Sequence, residues 1–169
     1  MALVVFVVGA PRIGKTKLLD TLVQSKSCDL GPTLGIELRT WSYTLKDQLL
    51  RFRIFDVSGR SIYADLLAPD VQMADIAVIC YDISDITTLD RAKRFLTLVE
   101  QSHIKRNVIL CGCIVKGNTR QVMPDELYHL TQKALNRGNC LSIQGIETRL
   151  DDRVPLFQAV IRAAVSQKV

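Results

Sequence analysis

Leu3-Val4-Val5-Phe6-Val7-Val8-Gly9-Ala10-Pro11-Arg12-Ile13-Gly14-Lys15-Thr16 is the stretch on which the architecture turns. Its first six residues are an unbroken apolar run, as expected of a strand covered on both faces. Residues 9–16 then fit the pattern GxxxxGK[ST], and Lys17-Leu18-Leu19-Asp20-Thr21-Leu22-Val23 continues as an apolar-striped helix. Strand, glycine-containing loop and helix in that order imply a phosphate cradle. Successive backbone N–H groups wrap the anion, and the helix N-terminus adds a favourable field. Gly14 stands where the backbone must approach a ligand closely without a Cβ. Lys15 is placed to reach the β and γ phosphates, and Thr16 to offer its hydroxyl to magnesium. Gly9, Ala10, Pro11, Arg12, Ile13 and Lys17 complete the candidate nucleotide-binding stretch.

The remaining pattern sets that loop in an α/β frame. Apolar runs at residues 76–81 and 107–113, with a short one at 140–143, read as parallel strands. Residues 35–45 and 49–55 read as an antiparallel pair joined tightly through Lys46-Asp47-Gln48. Helices are predicted over 87–101, over 125–136 behind Pro124 and ahead of Gly138, and over 155–165. The predicted fold is a three-layer α/β sandwich with a six-stranded, mostly parallel sheet and one antiparallel edge pair. One domain spans residues 1–169.

Composition narrows the function classes. The chain is 48% hydrophobic and 23% charged, which excludes a disordered chain. Its net charge of +5 is spread over Lys15/Lys17, Arg51/Arg53, Arg91/Lys93/Arg94 and Lys105/Arg106. With aromatics at 6%, that distribution reads as a solvated face and not as a nucleic-acid groove. Cys28, Cys80, Cys111, Cys113 and Cys140 form no disulfide framework, as expected in a reducing compartment. Cys80 and Cys111 sit in apolar runs as small buried hydrophobes, and Cys111-Gly112-Cys113 has neither zinc nor redox spacing. His103 and His129 have no partner at a ligand spacing. The apolar start is too short for a signal peptide, no segment is long enough to span a bilayer, and the C-terminus carries no cysteine for prenylation. These features lead us to expect a cytoplasmic protein without direct membrane insertion.

Asp56 closes Arg53-Ile54-Phe55-Asp56 at the end of the third predicted strand, a position from which a carboxylate can hold magnesium or its water. With that residue in place, the chain resembles a Ras-superfamily small GTPase (a P-loop NTPase of small G-protein type), most of all the Rab-like branch. Pro32-Thr33-Leu34-Gly35-Ile36-Glu37 resembles the first switch segment, in which the threonine bonds magnesium and senses the γ-phosphate. That role would fall on Thr33. Asp56-Val57-Ser58-Gly59-Arg60 resembles the opening of the second switch. The resemblance gives Asp56 a magnesium role and Gly59 a backbone N–H on the γ-phosphate. Tyr81-Asp82-Ile83-Ser84 and Val154-Pro155-Leu156-Phe157 resemble Rab scaffold segments.

Departures from the family pattern are as informative. Arg60 stands where the family has the glutamine that positions the attacking water, and a guanidinium has donors but no acceptor. Slow intrinsic hydrolysis follows, with Lys15, Thr33, Gly59 and Arg60 as the candidate catalytic set. Pro11 removes one N–H from the cradle. The family reads guanine with asparagine-lysine-x-aspartate, where this chain has Cys113-Ile114-Val115-Lys116. Losing the charged bidentate contact costs about 1.5–3 kcal/mol per bond. Of the serine-alanine-lysine segment that backs the base, Ser142-Ile143-Gln144 keeps the serine, and Gln144 could lie along the base edge.

The resemblance therefore implies Mg2+ bound by Thr16, Thr33 and Asp56, and GTP or GDP held mainly through phosphates. It also implies effectors or regulators docking on segments 31–40 and 57–73, through a face that includes Ile36, Leu38, Phe55 and Tyr63, and membrane association only through partners. Two readings remain open at this stage. One is a divergent Rab/Ras-like switch in vesicle trafficking that hydrolyses GTP weakly. The other is a pseudo-GTPase, or an unselective nucleotide-binding scaffold, that acts as a protein-interaction module.

Overall fold

A computed structural model describes residues 1–24, 35–60, 73–101, 106–115 and 117–167. In chain order the elements are β1 (Leu3–Gly9), α1 (Lys15–Val23), β2 (Ile36–Leu45), β3 (Gln48–Val57) and β4 (Ile76–Asp82). They continue with α2 (Ile86–Glu100), β5 (Asn107–Ile114), α3 (Pro124–Arg137), β6 (Ser142–Arg149) and α4 (Val154–Ser166). The six strands form one sheet in the order β2-β3-β1-β4-β5-β6. Among the described strands only the β2–β3 pair is antiparallel. The predicted α/β sandwich with one antiparallel edge pair is the observed architecture.

Strand periodicity sorts the core into two layers. Val5, Val7, Phe52, Ile54, Ile76, Val78, Ile109 and Cys111 pack under α1 and α4 through Leu18, Leu22, Leu156 and Val160. Phe6, Val8, Ala77, Ile79, Val108 and Leu110 pack under α2 and α3 through Leu89, Leu96, Leu127 and Ala134. Burial on both sides explains why β1, β4 and β5 are apolar without interruption.

The β2–β3 connection is a two-residue turn at Lys46 and Asp47, both with positive φ (45° and 65°), and Gln48 already pairs with Leu45. Positive φ at both positions is what a type I′ turn needs, and it matches the twist of the paired strands. Aromatic contacts hold this hairpin to the last helix. Trp41 stacks on Phe52 at 4.9 Å, and Tyr43 meets Phe157 edge-on at 4.9 Å. A partly buried ion pair from Arg39 to Asp20 ties β2 to α1.

Two expectations are corrected. The last strand is not residues 140–143 but Ser142–Arg149, twice as long. It is an edge strand whose two isoleucines, Ile143 and Ile146, pack into different core layers with polar residues and a glycine around them, so it shows no apolar run. Arg106 belongs to no solvated face. It is 1% exposed, and its Nε donates to the Ala74 carbonyl at 2.8 Å. Burial pulls its pKa below the ordinary guanidinium value.

The end of the sheet opposite the loop is fastened by the C-terminal helix. Asn107 Nδ2 donates to the Ala163 carbonyl, Ser166 Oγ to Asn107 Oδ1, and Gln167 Nε2 to the Asp75 carbonyl. No helix among the described residues is long and apolar enough to cross a membrane.

Candidate functional site

Between the end of β1 and the start of α1 the chain turns with Arg12 and Gly14 both at positive φ, 62° and 86°. Gly14 precedes α1 directly and has no side-chain cap, so the first N–H groups of the helix depend on an external acceptor. A Cβ on Gly9 would lie 2.3 Å from the Cys80 carbonyl oxygen, which fixes glycine where the loop leaves the sheet.

Lys15 is 7% exposed and folds back over the loop. Its Nζ donates to the carbonyls of Ala10 (2.8 Å) and Gly9 (3.3 Å). Burial lowers its pKa, against the pull of Cys80, Asp56 and Cys113. Thr16, one residue on, donates its hydroxyl to Asp56 Oδ2 at 2.5 Å. Asp56 is fully buried, and its other oxygen, Oδ1, has no hydrogen-bond partner. Burial raises the Asp56 pKa, while the Thr16 hydrogen bond and the Lys15 charge oppose the shift. A buried carboxylate oxygen without a partner is costly in a closed core. With the Thr16 hydroxyl beside it, this carboxylate supplies the oxygen donors that a hard divalent cation takes.

Magnesium and a phosphate chain therefore fit the residues present. Lys15 and the loop N–H groups would hold the phosphates, and Thr16 with Asp56 the cation. Gly59, expected from the resemblance to open the second switch, sits close by. A Cβ on Gly59 would lie 2.2 Å from the Pro11 nitrogen, so the segment after β3 rests directly on the loop. Arg60 follows, exposed, with its N–H toward Ser58 Oγ at 3.5 Å. Pro11, Arg12 and Lys17 lie exposed at the mouth, and Ala10 and Ile13 are buried beneath it.

The expected base contacts fare differently. Cys113 is 0% exposed, its Sγ turned toward the Cys111 carbonyl and the neighbouring thiols. It offers nothing to a ligand in the cleft. Ser142, Ile143 and Gln144 are not at the loop at all. They pair with Asn107, Val108 and Ile109 at the start of β5, whereas the loop follows the opposite end of β1. Ser142 Oγ donates to Asn107 Oδ1 and Gln144 Nε2 to the Ala159 carbonyl, both scaffold contacts. That assignment failed because β6 was read as ending at Ile143.

The extended strand instead brings Leu150 to the site. Its Cδ1 occupies space 2.5 Å from where a Cβ on Gly14 would be, and its carbonyl accepts from Thr21 Oγ1 at 2.9 Å. Glu147, nearer the strand's middle, holds Arg120 in a two-pronged ion pair at 2.8 and 2.6 Å. Sequence reading missed Leu150, Glu147 and Arg120.

Thr33, Lys116 and Tyr63 lie outside the described residues, as do Cys28, Lys105 and His103. So do residues 31–34 and 61–72 of the two expected docking segments. Ile36 and Leu38 are 43% and 49% exposed on the edge strand, while Phe55 is partly buried and stacks on Phe6 at 4.7 Å.

A six-stranded sheet with its glycine loop, lysine, threonine and distal aspartate at the ends of β1 and β3 defines a P-loop protein of the small G-protein type. The Ras family profile matches residues 4–136, and the chain belongs to that family. Its relatives place it on the Rab-like branch. Ras-related protein RABA3 of Arabidopsis thaliana is 30% identical over 93 residues, covering 54% of this chain and 39% of that protein. Ras-related protein Rab11C of Nicotiana tabacum is 26% identical over 107 residues, 63% of this chain and 48% of the relative. Ras-related protein RabQ of Dictyostelium discoideum is 29% identical over 79 residues, 46% and 39% respectively. The chain thus spans less than half the length of each of these three relatives.

Proposed function

We propose that this chain is a divergent Rab-like switch that binds a nucleoside triphosphate with magnesium mainly through its phosphates, hydrolyses it slowly, and engages partners in membrane trafficking. The observation that carries this reading is the Lys15–Thr16–Asp56 constellation, with its unpartnered Asp56 oxygen beneath a loop of N–H donors. Lys15 balances charge on the outer phosphates, Thr16 and Asp56 orient the cation, and the loop N–H groups fix the phosphate chain. Bound magnesium would neutralise charge on the β and γ phosphoryl oxygens. Gly59, already against Pro11, is where a γ-phosphate would be felt by the segment leading into residues 60–73. Arg60 supplies no acceptor for water, which supports slow turnover.

Partners would be protein effectors reading segments 31–40 and 57–73, with Ile36 and Leu38 as apolar contacts on the exposed edge strand. The protein would work in the cytoplasm, peripheral to an intracellular membrane through those partners. A second reading, an unselective triphosphate-binding scaffold, is favoured by one observation: Cys113 is turned into the core where a base-reading residue is expected.

Calorimetric titration of nucleotide-free protein with GTP, GDP, ATP and a non-hydrolysable GTP analogue, with and without magnesium, tests both readings. Magnesium-dependent GTP binding that depends on the γ-phosphate supports the switch. Equal GTP and ATP affinities support the scaffold, and no binding to any of them overturns the phosphate-site reading.

A further inference from the structure

Beneath the phosphate loop, Cys80 on β4 and Cys111 and Cys113 on β5 place three sulfurs within 4.8 Å of one another. The fold makes this meeting unavoidable. Cys80 and Cys111 are direct register partners in adjacent parallel strands, and Cys113 lies two residues on, on the same face. All three are 0% exposed. Their ceiling is the loop itself, because Gly9 sits against Cys80 and both Ala10 and Ile13 belong to the same buried cluster. The Lys15 ammonium lies within electrostatic reach of Cys80 and Cys113.

From this geometry we infer that the three thiols form a binding site for a single copper(I) ion. Donor type and donor number select the metal. Thiolates are soft ligands that favour copper(I), zinc and iron–sulfur clusters over hard cations. Zinc takes four ligands, and the cluster supplies three sulfurs in a pocket without solvent exposure. Three sulfurs bound to one ion at about 2.3 Å stand about 4 Å apart, a spacing the cluster already allows. Charge is also accommodated. Copper(I) with three thiolates carries a charge of −2, part of which the Lys15 ammonium offsets in a site that water does not reach. Loading releases three thiol protons to solvent and takes up one ion, and no electron is transferred. The site is distinct in chemistry from the magnesium position, which is built of oxygen donors at Thr16 and Asp56.

The test is anaerobic titration of the fully reduced chain with copper(I) against a copper(I)-specific chelator. The expected result is one tightly bound equivalent with a sulfur-to-copper charge-transfer band in the ultraviolet. Each of Cys80→Ser, Cys111→Ser and Cys113→Ser should weaken binding about 100-fold or more, with Cys140→Ser and Cys28→Ser unchanged. Copper K-edge X-ray absorption on the loaded, unaltered chain gives a readout that needs no variant: three sulfur neighbours at about 2.3 Å are expected. A first shell of nitrogen or oxygen donors in place of those sulfurs would overturn the site. So would a one-equivalent affinity that survives loss of all three cysteines, or zinc outcompeting copper(I) at them.

Discussion

Lys15 is a buried ammonium that has to be charged to hold a phosphate, and its environment works against that. Between its depressed pKa and the ordinary 10.5 the native state binds fewer protons than the unfolded one. Stability of the free protein therefore rises with pH across that window. Triphosphate binding runs the other way. Above the depressed pKa a proton must be taken up, so affinity falls as pH rises. Titration in two buffers of different ionisation enthalpy measures the uptake, and its absence at alkaline pH would remove Lys15 from the phosphate contact. Lys15→Ala should weaken triphosphate binding about 100-fold or more, since a buried charge-assisted contact is lost.

Asp56 carries the complementary strain. Its folded pKa lies above 3.8, so the native state binds more protons than the unfolded chain from 3.8 up to that value. Stability falls as pH rises through the window and stays at the lower level above it. Asp56→Asn should therefore raise stability at neutral pH by about 1 kcal/mol, a gain typical of removing functional strain. It should also abolish the magnesium dependence of triphosphate binding. Urea denaturation and calorimetry read the two halves separately. At Arg60, replacement by glutamine supplies the missing acceptor and should speed phosphate release about tenfold or more. An unchanged rate would mean that the defect lies elsewhere.

Among the elements, β1, its loop and α1 were legible because a six-residue apolar run and a spaced Gly-Lys-Thr pattern report on burial and backbone path together. The strands β4 and β5 were legible from the same kind of apolar run, and the antiparallel pair from its tight connection at Lys46-Asp47-Gln48. β6 was not. Gln144 on one face and Gly145, Glu147 and Arg149 on the other break its apolar pattern, so a periodicity reading stopped at Ile143 and moved the base-backing assignment to the wrong end of the sheet. Nor does sequence disclose that Arg106 is buried while Arg60 is exposed, because the burial of one charged residue is decided by long-range packing. The Arg39–Asp20 pair is a similar case, joining β2 to α1 across 19 residues of chain. Arg39→Ala removes this partly buried ion pair and should cost about 1–2 kcal/mol in urea denaturation. Arg39→Met paired with Asp20→Leu should recover most of the loss, because the carboxylate that then loses its arginine, Glu37, is 46% exposed and solvated.

For the whole molecule, the loop is the place where ligand energy enters the fold. A magnesium triphosphate at about 100 times its dissociation constant adds about 2.7 kcal/mol of stability. For a chain of this size that is a rise of about 5–10 °C in melting temperature. Scanning fluorimetry against GTP, ATP and inorganic tripolyphosphate separates base from phosphate contributions. Equal shifts with all three would assign the stabilisation to the phosphates alone.

The fastening of α4 also gives the molecule a direction. Ser166 and Gln167 are bonded at the entry ends of β5 and β4, while the phosphate loop opens at the exit end of β1. A bead, dye or sensor surface coupled through the last helix would hold the chain by its back and turn the cleft outward. Immobilised that way, the protein can be interrogated for ligands and partners without its handle shading the face that receives them.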